Sequence, residues 1–122
     1  MTTPQEELRQ RTKQFAYRVI RLFRSLPRKT EAQVIGKQLL RSATGVAANY
    51  RAAGRARSPA EFVSKIGIVV EEADESQFWL ECLSDNKIVR PELLTDLLNE
   101  VDELVRIFSA SQQTAKNTSS KN

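Results

Sequence analysis

Residues 41–75 read RSATGVAANYRAAGRARSPAEFVSKIGIVVEEADE. The segment contains its own punctuation. Ser58, Pro59 and Glu61 stand where an N-cap, a first helical residue and a capping-box acid belong. Ahead of them Gly54 to Arg57 forms a short basic turn. Upstream of the turn, Ala43, Val46, Tyr50 and Ala53 recur at spacings of three and four, as on one face of a helix. Downstream, Phe62, Ile66, Val69, Ala73, Ser76, Leu80 and Leu83 do the same. The segment therefore predicts two amphipathic helices joined by a tight connection.

The same periodicity extends both ways. Thr3 and Pro4 predict the start of a first helix, with Glu6 and Glu7 suiting the helix dipole. Its seam is Leu8, Thr12, Phe15, Val19, Leu22 and Leu26, widened by Ala16 and Phe23, and Pro27 ends it. Thr30 is a candidate cap for the second helix, whose inward face begins at Ile35 and Leu39. After Leu83, SDNK reads as a turn. Pro91 opens a last helix carrying Leu94, Leu97, Leu98, Val101, Leu104, Val105 and Phe108. From Ser109 onward SASQQTAKNTSSKN lacks apolar anchors. Residues 1–110 are thus predicted to form an all-α, antiparallel up-down-up-down four-helix bundle, and 111–122 a disordered or frayed polar tail.

Composition narrows the class. The chain has 122 residues, 40% hydrophobic and 28% charged, with four glycines, four prolines and one cysteine, Cys82. This suits one soluble helical domain without an internal disulfide. No apolar run approaches the ~20 residues of a membrane span, and MTTPQEELRQRTK has no apolar core of a signal peptide. The expectation is a cytoplasmic protein with no membrane partner. The net charge of +4 is unevenly spread. Residues 1–57 hold 13 basic side chains against 3 acidic ones, net +10. Residues 58–122 hold 6 against 12, net −6. Such a split predicts an anionic partner for the first half, or docking of basic on acidic surfaces within an oligomer.

The first helix bears Arg9, Arg11, Lys13, Arg18, Arg21 and Arg24 away from its seam. On the second, at about 100° per residue, Lys37, Arg41, Arg51 and Arg55 form one stripe interrupted by Thr44 and Ala48. A phosphate backbone would track such a row, although a solvated face or plain helix packing would also use it. The candidate nucleic-acid contacts are Arg11, Arg18, Arg21, Lys37, Arg41, Arg51, Arg55 and Arg57. Arg55 and Arg57 lie beside a helix N-terminus. Asn49 is a poor helix former, and a side-chain hydrogen bond would account for it. On the third helix Ile68, Phe78, Trp79 and Cys82 form a second apolar side, a candidate oligomer interface. Glu71, Glu72, Asp74 and Glu75 suggest a carboxylate metal site. However, a di-iron bundle site requires Glu-x-x-His pairs, and the chain has no histidine. No catalytic, metal or cofactor residue is predicted, and an enzyme is not expected.

The stretches RSATGVAANYRAAGRARSPAEFVSKIGI and EEADESQFWLECL, with weaker similarity over about residues 12 to 108, resemble the small four-helix bundle proteins named after the reading frame in intervening sequences of bacterial 23S rRNA genes. The resemblance implies a closed bundle that assembles as a homopentamer around a central channel. It also implies kinship with the accessory variability protein of diversity-generating retroelements, a basic barrel that binds nucleic acid and a reverse transcriptase. Relatives commonly carry an acid just after the Asn-Tyr-Arg motif, where this chain has Ala52. The expected function is that of a non-enzymatic oligomer binding RNA or DNA by its phosphates without reading bases. The alternative is a protein-interaction scaffold or accessory subunit serving an acidic protein.

Overall fold

The computed structural model describes the backbone of residues 1–120 and the side chains of residues 1–118. It contains four helices: α1 (Pro4–Ser25), α2 (Thr30–Ala53), α3 (Pro59–Asp85) and α4 (Pro91–Ser120). No strand occurs among the described residues. The backbones pack α1 on α2, α2 on α3 and α3 on α4, and α1 touches α4 least. Diagonal α2 and α4 meet through side chains, the Tyr50 and Phe108 rings lying 5.1 Å apart at 44°.

The seams read from the sequence form one core. Phe15, Val19, Leu39, Val46, Ile66, Val69, Leu80, Leu83, Leu94, Val101, Leu104 and Phe108 are buried in it. Ala43 and Ala73 are also fully buried, so α2 and α3 approach closely where those side chains are short. Beside them the buried hydroxyls of Ser42 and Ser76 lie 2.9 Å apart. Leu39 O and Glu72 O accept from this pair, so neither hydroxyl is orphaned in the interior.

The helix ends match the sequence at two of three caps. Thr3 Oγ1 accepts from Glu6 N and Ser58 Oγ accepts from Glu61 N, each at 3.1 Å. The acid of the expected capping box reaches one residue further back, with Glu61 Oε1 accepting from Arg57 N. Thr30 does not cap α2. It is already helical, and Lys29 occupies the cap position without a side-chain hydrogen bond. The linker is braced instead by Gln33 Nε2, which donates to Pro27 O. Asn49 fits its helix by donating Nδ2–H to Gly45 O one turn back.

The C-terminal segment differs from expectation. Where composition predicted a disordered or frayed tail from residue 111, α4 continues as helix through Ser120. Two side-chain contacts lie along it. Gln113 Nε2 donates to Asn117 Oδ1 one turn on, and the Gln112 amide lies over Gly67 of α3. Residues 121–122 of that expected tail lie outside the described residues.

Candidate functional site

Eight cations were expected to form one phosphate-binding surface, and the fold sorts them into two groups. Three are engaged by carboxylates. Arg11 makes a fork to Glu100, Nη2 to Oε1 at 2.6 Å and Nε to Oε2 at 3.1 Å, with Glu103 at 3.2 Å. Arg41 reaches from α2 to α3, binding Glu75 at 2.5 Å and Glu72 at 3.3 Å. Arg57 pairs with Glu61 at 3.5 Å within its own capping region. The other five, Arg18, Arg21, Lys37, Arg51 and Arg55, make no ion pair among the described residues. Arg18 is half-buried on α1, and Arg21 and Lys37 are exposed. The stripe predicted along α2 is therefore broken at Arg41.

Arg51 and Arg55 are instead completed from the neighbouring helix. They line a cleft of about 490 Å³ between α1 and α2, opposite Arg9 and Lys13. Ala16, Tyr17, Ile20, Ala47 and Ala48 line it as well, with the polar Gln10 and Thr44. No carboxylate lines this cleft. A second cavity of about 390 Å³ shares Arg9, Arg51 and Arg55 and has Leu8, Tyr50, Phe62 and Ile66 among its walls, with one acid, Glu6. Arg9 and Lys13 were visible as part of the basic face of α1. Their pairing with Arg51 and Arg55 depends on how α1 docks against α2, which single-helix periodicity does not contain.

The expected carboxylate cluster is also divided. Glu72 and Glu75 turn to Arg41, while Glu71 and Asp74 are exposed. Burial raises the Glu72 carboxyl above the ordinary carboxylate value and outweighs the pull of Arg41, which lies closer to Glu75. Among the described residues no group of three His, Cys, Asp or Glu side chains converges as metal ligands. Burial, and secondarily Asp85 and Glu81, push the Cys82 thiol up, which disfavours a reactive thiolate.

The second apolar side of α3 is uneven. Phe78 is 53% exposed and meets the Trp79 ring edge-on at 4.9 Å. Trp79 is half-buried against the core, and its buried Nε1–H has no partner among the described residues. Ile68 and Cys82 are half-buried. No helix among the described residues is long and apolar enough to cross a membrane.

No protein with a curated description matches the sequence. Among solved structures, the chain is similar to a protein of unknown function from the S23 ribosomal protein family of Bacteroides thetaiotaomicron. The TM-score is 0.83 at 29% identity, covering 91% of this chain and 99% of that one. The 23S rRNA-intervening sequence protein family matches residues 5–110, so this four-helix chain belongs to that family.

Proposed function

We propose that the protein is a non-enzymatic, cytoplasmic oligomer that binds nucleic acid through phosphate contacts on α1 and α2, without reading base edges. One observation carries this reading: Arg9, Lys13, Arg51 and Arg55 converge on a cleft that no carboxylate lines. Four convergent cations suit a polyanion, whose binding releases counterions and so depends steeply on salt. Arg11, Arg41 and Arg57 contribute less than their charge suggests, because carboxylates already occupy them.

The helices run antiparallel in this reading. Phe23 and Leu26, late in α1, lie over Gly36, early in α2. Arg41 then meets Glu75, while Gly45, one turn later, meets Glu72, earlier in α3. Assembly as a homopentamer draws support from the family resemblance and from the exposed Phe78 beside Trp79, whose buried Nε1–H has no hydrogen-bond partner among the described residues. The same exposed ring favours the second reading, a scaffold whose partner is a protein.

The test is fluorescence anisotropy of labelled RNA and DNA over a salt series, on material whose solution mass has been measured by sedimentation. A pentamer mass is expected, and a monomer would remove the assembly from the proposal. Affinity should fall steeply with salt, and reversing Arg51 and Arg55 to Glu should abolish most of it. Reversal at Arg41 should matter less. Absence of binding at low salt would overturn the nucleic-acid reading and leave the scaffold.

A further inference from the structure

The cleft between α1 and α2 has a feature that phosphate contacts alone do not use. Beside its four cations it is lined by Ala16, Tyr17, Ile20, Ala47 and Ala48, with only Gln10 and Thr44 as further polar side chains. The apolar side chains in this lining offer nothing to a phosphate oxygen and favour a flat, weakly hydrated face. Tyr17, on the same wall, is 41% exposed, one of few large apolar-bodied side chains left open to solvent. Lys13 Nζ stands 5.9 Å from its ring centroid, the outer limit of a cation–π contact. At about 490 Å³ the cleft is within the range of small-ligand pockets. The second cavity shares the same three guanidinium groups, Arg9, Arg51 and Arg55, and its walls are also largely apolar.

Two largely apolar hollows that share one arginine cluster match the alternation of base, phosphate and base along an unpaired strand. A duplex presents its phosphates outside and its bases stacked inside. It would touch the cations and leave the apolar lining bare. We infer that the cleft is a single-stranded nucleic-acid site, in which one base stacks on Tyr17 within the apolar lining and the adjoining phosphate sits on Arg9, Arg51 and Arg55. Stacking on a phenol ring accepts any base, so the site is tolerant of sequence. The inference rests on the phosphate-binding reading above and specifies which form of nucleic acid is bound.

The experiment compares a labelled single strand, as RNA and as DNA, with a duplex and with an abasic strand of the same length. Each is titrated against the wild-type protein, Tyr17→Ala, Tyr17→Phe and the Arg51→Glu/Arg55→Glu double variant. Tyr17 is exposed, so its variants should fold, and circular dichroism checks that they do. Truncation to Ala should weaken single-strand binding by about ten-fold, within the range for loss of one base–aromatic stack. Tyr17→Phe should retain it. Duplex and abasic-strand affinities should not respond to either change, and the salt slope should fall only with the arginine variant. A duplex that binds as tightly as the single strand, or a Tyr17→Ala protein with unchanged single-strand affinity, would overturn this inference and leave phosphate binding intact. Equal competition by polyglutamate of matched charge would overturn it too, by reducing the cleft to a charge sink. Failure of every nucleic acid to bind at low salt would remove both readings together.

Discussion

Glu72 shows how one missing side chain sets the chemistry of another. A Cβ at Gly45 would lie 2.7 Å from Glu72 Oε2, so a larger residue there would push the carboxylate from its present place. That position takes it out of water and raises its affinity for a proton. Just above the ordinary carboxylate value of 4.5, the folded protein holds this proton more than the unfolded chain does. The contribution of Glu72 to stability therefore falls as pH rises through this window, opposite to the usual salt-bridged carboxylate. In urea titrations, wild type should lose stability relative to Glu72→Gln between pH 4 and pH 7. A gain over that interval would mean that Arg41 governs Glu72. At this scale the sequence was partly legible. The positions of Arg41, Glu72 and Glu75 on their helices were readable, but their mutual neutralisation was not. It follows from close approach across the α2–α3 interface, which a helical wheel does not describe.

The helices themselves were read nearly to the residue, because each has a long seam and most have a proline or a hydroxyl residue at the start. The exceptions are local. Lys29 replaces Thr30 at the cap of α2, and the run after Ser109 stays helical with contacts that carry no hydrophobic signature. The end of α3 is a further case. Ile88 N–H donates to Leu83 O and Lys87 N–H to Ser84 O, the paired bonds of a Schellman motif. Its left-handed position normally takes glycine, yet here it holds Lys87 at φ 54°. A Cβ in that region costs about 1 kcal/mol. Lys87→Gly should accordingly raise stability by about that amount, seen as a higher urea midpoint with unchanged slope. An unchanged midpoint would show that the lysine side chain recovers the cost by other contacts.

In the whole molecule the four helices are not equally committed. α2, α3 and α4 are joined by two extensive interfaces, whereas α1 packs well on α2 and only lightly on α4. Across that lighter seam runs the Arg11 fork to Glu100 and Glu103. The all-α bundle was legible from four apolar stripes, but the inequality among its interfaces was not, since periodicity gives a face and not the area it covers. Its consequence lies in partial opening. α1 should detach from a three-helix remainder at a lower free energy than global unfolding requires. Native-state hydrogen exchange should therefore find the amides of α1 less protected than those of α3. Arg11→Ala should lower the α1 opening energy by about 1 kcal/mol, the scale of a well-formed, partly exposed ion pair. Equal protection in all four helices would show a single cooperative unit. Because Arg9 and Lys13 ride on α1, Arg51 on α2 and Arg55 in the turn that follows it, an anion held between them would also clasp the movable helix to the fixed part. Ligand occupancy would then be recorded as slowed exchange along α1, well beyond the residues it touches.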